Sequence, residues 1–250
     1  MTIPSIIFIV PYRDREHEKI HFEVYMKYIL EDLPSSSYKI YFSHQNDDRP
    51  FNRGATKNIG FLAMKEKYPN DYQNITFVFH DVDIVPYKKN TFNYNTKPGI
   101  VKHFYGYKYV LGGIFSINGG DFEKCDGFPN YWGWGLEDNM MQTRVKNNNI
   151  LIDRNKFYSI IDIQNILNIS NSTMRVVSNN STILYFKKVI SGLSTISNLK
   201  YTINNEFIDI DFFDVETDHI NDKYYVHDNK KSNKLKMNAV GRNQYQMKFI

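Results

Sequence analysis

Four short clusters hold the side chains of this sequence that could do chemistry. Asp81-Val82-Asp83 places two carboxylates one residue apart, after the apolar run Phe77-Val78-Phe79 and His80. Alternate residues of an extended strand point to opposite faces, so both acids reach one ligand only if the chain turns there. One could then hold a hard divalent ion bridging a diphosphate, while the other accepts a hydrogen bond from a ribose or sugar hydroxyl. A second copy of the spacing, Asp209-Ile210-Asp211, lacks that lead-in and reads as outward acids on an edge strand. Arg13 and Arg15 follow the first apolar run, and Arg53 precedes a helical stretch. Guanidinium groups match phosphates and pyrimidine edges. Alone, each arginine suits a surface ion pair; converging on the acids, the three describe a nucleotide diphosphate pocket. The last cluster is GFPNYWGWGLEDNMM, Gly127 to Met141, which contains both tryptophans of the chain and two adjacent acids. Sugars stack their C–H faces on indole rings while carboxylates take the hydroxyls, and a carboxylate at an acceptor hydroxyl can act as general base. The same residues suit a tryptophan-centred core turn whose acids sit at a helix N-terminus. Chemistry alone leaves both readings open.

Those clusters need elements to position them. Ser5–Pro11 is a continuous apolar run with β-branched residues and predicts a buried strand. Glu16–Leu33, with apolar Ile20, Val24 and Tyr28, predicts an amphipathic helix ending before Pro34. Lys39–Ser43 predicts a strand, Ala55–Lys67 a helix stopped by Pro69, and Ile75–His80 a third strand running into Asp81. This β-α-β-α-β order is half of a doubly wound α/β sheet, in which ligands bind beyond the carboxyl ends of the strands. The polar clusters PYRDR, FNRGATKN and DVD fall there or in a nearby loop. Beyond Asn147 the texture changes to Asn, Ser and Ile with poor periodicity, until Phe207–Val215 partly alternates like a strand with one wet face. The predicted division is a core over 1–150, an insertion or subdomain over 151–222, and a basic tail over 223–250.

Composition narrows the class. Apolar residues make up 42% and aromatics 16%, so the chain is globular rather than disordered. No apolar run reaches the ~18 residues of a membrane span. The opening MTIPSIIFIVPYRDRE lacks a basic n-region, so no signal peptide or anchor is expected. The single cysteine, Cys125, excludes an internal disulfide and fits a reducing compartment, so a cytoplasmic protein is expected. Abundant Asn, Ile and Lys point to an AT-rich viral or microbial genome. The net charge of +4 is uneven: residues 206–222 carry seven acids and no Lys or Arg, residues 223–250 seven Lys or Arg and one acid. Such a tail suits a phosphate-bearing ligand or simply a solvated face. Without the aromatic-basic interleaving of a nucleic-acid module, no nucleic-acid partner is expected.

The ordered motifs VPYRDRE (10–16), FNRGATKNIG (51–60), FVFHDVDIVP (77–86), GGIFSI (112–117) and GFPNYWGWGLED (127–138) resemble those of the β-1,4-galactosyltransferase family. These are inverting family 7 enzymes of the Rossmann-like GT-A fold that use a UDP-sugar and Mn²⁺. The resemblance covers about residues 5–145 and, more weakly, 224–233. It implies that Pro11, Tyr12, Arg13, Arg15, Phe51 and Arg53 serve the nucleotide and diphosphate, and that Asp81, Val82, Gly113 and Trp134 line the donor. Glu137 would bind acceptor hydroxyls, Asp138 would be the general base, and Asp83 the first metal ligand. A third acid usual after that pair is replaced here by Asn139. The family's other metal ligands are a Met and a His three residues apart. That pair is missing, and the best match makes His227 a ligand with Tyr224 at the Met position and His219 in reserve.

The resemblance also bears on donor choice. Galactose-transferring members carry a tyrosine at the position matching Val110, so valine leaves room for an N-acetyl group. UDP-GlcNAc or UDP-GalNAc is then expected over UDP-Gal, unless a one-residue slip restores Tyr109 as gatekeeper. The implied activity is metal-dependent transfer of a hexose or N-acetylhexosamine from a UDP-sugar to a glycan or glycoprotein, with Mn²⁺, or Mg²⁺ in its place, as cofactor. The alternatives are a catalytically silent UDP-sugar- or carbohydrate-binding module, and a chondroitin-polymerase-like or polypeptide-modifying GT-A transferase.

Overall fold

A computed structural model describes residues 2–170, 174–187, 189–217 and 222–228, with the backbone alone for His227 and Asp228. In chain order the elements are β1 (Ile6–Tyr12), α1 (Glu16–Ile29), β2 (Tyr38–Gln45), α2 (Arg53–Lys67), β3 (Thr76–His80), β4 (Ile84–Pro86), β5 (Ile100–Gly106), β6 (Ile114–Asn118), α3 (Gly119–Lys124) and α4 (Glu137–Asn147). They continue as β7 (Leu151–Asp153), β8 (Tyr158–Ser159), β9 (Ile166–Asn168), β10 (Met174–Ser178), α5 (Asn179–Lys187), β11 (Ser197–Asn204), β12 (Phe207–Asp214) and β13 (Tyr224–Asp228).

The main sheet runs β11-β12-β2-β1-β3-β6-β5-β7, with β8 also on β5. β1 pairs in parallel with β2 and β3, so the three expected strands form its centre and end on one edge. β1 and β3 are buried almost throughout, as their apolar runs demand. α2 lies against β1 and β2 with Ile59, Phe61, Ala63 and Met64 in the core. On the other side Phe22, Met26 and Ile29 of α1 pack with Phe8, Val10 and Phe42. Together this is a mixed α/β, Rossmann-like arrangement.

Two expectations are corrected here. α1 stops at Ile29, and its expected core stripe faces outward: Ile20, Val24 and Tyr28 are exposed. A second stripe at helical spacing, Phe22-Met26-Ile29, takes the core side. β12 is no edge strand either. It pairs in parallel with β2 and antiparallel with β11, which takes the edge. Asp209 therefore meets His44 Nδ1 at 2.9 Å instead of standing in solvent. The stretch 151–222 feeds this same sheet: β7 and β8 extend β5, and the β11–β12 hairpin extends β2.

Candidate active site

The chain leaves β3 at His80 and turns through Asp81-Val82-Asp83 before β4 pairs with β9. That turn is the condition for both acids to serve one place. The Asp81 amide donates to the Gly113 carbonyl at 3.0 Å. Gly113 has φ +69°, and a Cβ there would lie 2.4 Å from the Tyr105 carbonyl oxygen, so only glycine fits. Across the cleft Asn52 caps α2, its side chain accepting from the Ala55 amide at 2.9 Å and donating to the Asn130 carbonyl at 3.0 Å. This fixes Arg53 in the first helical turn. α4 begins after Leu136, which holds the left-handed φ of 71° and turns Glu137 and Asp138 toward Arg53.

Arg53 joins the two halves of the cleft. Its Nη2 pairs with Asp81, while Nη1 meets Glu137 Oε1 at 2.6 Å and both Asp138 oxygens at 3.0 Å. One turn further along α2, Lys57 Nζ lies 3.1 Å from Asp138 Oδ1. The other side of that carboxylate abuts Gly112, where a Cβ would stand 2.2 Å from Oδ2. The Leu111 amide donates to the Asp138 carbonyl at 3.0 Å.

The two groups of acids differ electrically. Burial pushes the Asp138 carboxyl up, but the charges of Arg53 and Lys57 outweigh it and hold the group below the ordinary carboxylate range. Asp83 goes the other way: burial, then the charge of Asp81, raise it against a Ser170 hydrogen bond and the charges of Arg15 and Arg175. Burial lowers Arg53 less than its three carboxylates raise it, so its guanidinium is held firmly charged. His103, between the Tyr105 and Gly112 carbonyls with Arg154 on its other nitrogen, is pushed down to about 4 mainly by burial.

The remaining expected residues divide. Arg15 pairs with Glu18 at 2.9 Å and still bears on Asp83. Arg13 turns to the carbonyls of Arg49 and Asp47 and holds the 47–50 loop. Tyr12 sits edge-on to Phe42, His44 and Phe207, beside buried Pro11. The Phe51 carbonyl accepts from the Gly133 amide, tying the loop before α2 to the tryptophan motif. Val82 and Val110 are buried, whereas Tyr109 is half exposed. The two tryptophans part company. Trp132 is a core residue, stacked on Phe213 at 5.5 Å with its Nε1 donating to the Thr217 carbonyl. Trp134 is partly exposed, and its amide donates to Val176 of β10. The core-turn reading of the motif fits Trp132, while the Trp134 ring keeps a face toward solvent.

Three residues escaped the sequence reading. Lys57 lay inside a quoted motif, and its spacing of four from Arg53 on a helix was the available signal. Ser170 and Arg175, which act on Asp83, come from the Asn- and Ser-rich stretch and gave none. The strand register of β10 and β13 sets the His227 backbone directly opposite Arg175. The His227 side chain, His219 and the basic tail from 229 lie outside the described residues. A divalent cation fits Asp83 chemically, because a buried carboxylate with a like-charged neighbour is relieved by one. Among the described residues no group of three His, Cys, Asp or Glu side chains could hold a metal ion.

Comparison with known proteins places this geometry. The model of the N-terminal region of glycosyl transferase group 7 matches residues 2–96, and that of the N-terminal domain of galactosyltransferase matches residues 101–170. The chain belongs to glycosyl transferase family 7. Mouse β-1,4-galactosyltransferase 4 is 34% identical over 167 residues, covering 62% of this chain and 46% of that protein. Chinese hamster β-1,4-galactosyltransferase 2 is 32% identical over 165 residues, covering 60% and 42%. The family 7 chain thus spans less than half the length of these curated relatives. Among solved structures, a mutant of Drosophila β-1,4-galactosyltransferase 7 with manganese, UDP-Gal and xylobiose superposes with a TM-score of 0.65 at 21% identity, covering 86% of this chain and 96% of that one. It shares the GT-A fold. The expectation of a cytoplasmic protein is corrected by these relatives, because related β-1,4-galactosyltransferases are Golgi membrane-anchored type II proteins. No helix among the described residues is long and apolar enough to cross a membrane.

Proposed function

We propose that this family 7 chain transfers a hexose or N-acetylhexosamine from a UDP-sugar to an acceptor hydroxyl with inversion, and that Asp138 is the general base. One observation carries this reading: Arg53 gathers Asp81 from the donor side and Glu137 and Asp138 from the acceptor side into a single cluster. In the displacement, the acceptor oxygen bonds to the anomeric carbon as the bond from that carbon to the diphosphate breaks, and UDP leaves. The acceptor proton passes to a carboxylate oxygen of Asp138. A carboxylate held below its ordinary range is fully ionised at neutral pH, as a base must be. Glu137, buried with Oε2 accepting from the Gly135 amide at 3.2 Å, would orient the acceptor hydroxyls. Trp134 would offer its exposed face to the sugar. Arg53 and Arg15 would meet the diphosphate. Asp83, with His227, would hold Mn²⁺, which when bound neutralises charge developing on the leaving diphosphate. The Drosophila relative, solved with manganese, UDP-Gal and xylobiose, supports this choice of cofactor, donor and acceptor class.

The test is a thermal-shift series of UDP-sugars with and without Mn²⁺, followed by transfer assays on glycan acceptors. A ligand that binds only the folded state raises its apparent stability. We expect a Mn²⁺-dependent shift with UDP-sugars and turnover of at least one. No shift with any UDP-sugar would overturn the reading. A shift without turnover would favour a silent sugar-nucleotide-binding module.

A further inference from the structure

Lys57 is only 1% exposed and sits on the stretch of α2 that supplies Ile59, Phe61, Ala63 and Met64 to the core. A buried ammonium is costly unless paired and hydrogen-bonded. Its one hydrogen-bond acceptor among the described residues is Asp138 Oδ1 at 3.1 Å, and its Nζ lies 4.2 Å from the centre of the Phe128 ring. The Phe128 face adds a cation–π contact on a desolvated charge. An apolar side chain here would fill the same space, so the charge itself calls for a role.

The groups around Asp138 come from four directions. α2 supplies Arg53 and Lys57, its own helix supplies Glu137, the turn after β3 supplies Asp81, which shares Arg53 with it, and β5 supplies His103, which is neutral near pH 7. The two cations differ in freedom. Arg53 divides one guanidinium among three carboxylates at the cleft, where a diphosphate would compete for it. Lys57 is enclosed by the helix core and Phe128, and has nowhere else to go. We propose that Lys57 is a positioning residue for Asp138: its ammonium fixes the carboxylate against Gly112 and supplies the countercharge that remains when a diphosphate draws Arg53 away. Without it the base would be free to rotate and would protonate at higher pH in the loaded enzyme.

This inference rests on reading Asp138 as the base, and the experiment separates the two. Protein labelled with ¹³C at the aspartate carboxyl is titrated by NMR as wild type, Lys57→Met and Lys57→Arg, with Asp138→Asn identifying the signal. The Met variant should raise the Asp138 midpoint by about one pH unit, a tenfold change in proton affinity. The Arg variant should restore it. In transfer assays the acid limb of kcat, which reports the loaded enzyme, should move up in the Met variant, while KM for the UDP-sugar stays close to wild type. A merely structural lysine would lower stability without moving either midpoint. As a variant that leaves the lysine in place, Asp138→Asn should lower the Lys57 midpoint read from ¹³Cε-lysine. This decides the matter even if Lys57→Met does not fold. Unmoved midpoints overturn the proposal. If wild type transfers no sugar, the catalytic reading falls, while the titrations still decide whether Lys57 fixes the charge of Asp138.

Discussion

Glu137 and Asp138 meet resident cations at the start of α4, where Arg53 touches both and Lys57 touches Asp138. At the end of β3, Asp81 shares Arg53, while Asp83 feels Arg15 and Arg175 too weakly to offset its burial and the charge of Asp81. The same residue type in the same cleft is thus held ionised in one place and pushed toward protonation in the other. Environment divides the labour between paired acids. The compensated acid suits a base that must be charged before its substrate arrives, and the undercompensated one suits a metal ligand.

The largest way to break this contrast is to remove the undercompensated acid. Asp83→Ala should abolish Mn²⁺-dependent tightening of UDP-sugar binding, a loss of about 100-fold or more given that even outer-shell partners are worth 10–100-fold. His227→Ala should weaken the same Mn²⁺ titration. An unchanged titration for His227→Ala would remove β13 from the metal site.

A smaller effect concerns the donor. Val110→Tyr should reverse a preference for UDP-GlcNAc or UDP-GalNAc over UDP-Gal by about tenfold, the scale on which a pocket rejects an added small group. Competition among the four UDP-hexoses checks it, and a wild-type preference for UDP-Gal would move the gatekeeper to Tyr109.

The smallest effect is on stability, and its signs are opposite for the two acids. Asp138 has a depressed folded pKa, so its stabilisation is present above the ordinary carboxylate pKa and is lost as pH falls through the folded value. Asp83 has a raised one, so its charge costs the metal-free fold stability above that value and costs nothing once both states are protonated. In metal-free protein at pH 7, Asp138→Asn should therefore lower Tm and Asp83→Asn should raise it, each by about 2–4 °C per kcal/mol. Both differences should shrink toward pH 3. Equal signs would erase the contrast.

The centre of the fold was legible because its elements are locally consistent: apolar runs for β1 and β3, a capped helix between Asn52 and Lys67, and polar clusters where the strands end. The outward stripe of α1 was misread because Ile20-Val24-Tyr28 and Phe22-Met26-Ile29 are both apolar at helical spacing, and only packing chooses between them. β12 showed its alternation but not its neighbours, since strand order is a long-range property. Arg175 and Ser170 were invisible for the same reason: they reach Asp83 through pairing and proximity that no local pattern encodes. Lys57 was visible yet unused, because a lysine in a helix ordinarily means solvent.

The most direct measurement of the central claim compares wild type with Asp138→Asn in two assays on the same samples, sugar transfer from the best UDP-sugar and Mn²⁺-dependent UDP binding. Asp138 as general base predicts transfer down by about 10²–10⁴-fold with UDP binding nearly intact. Wild-type transfer by the Asn variant would contradict it, and so would parallel loss of binding and transfer.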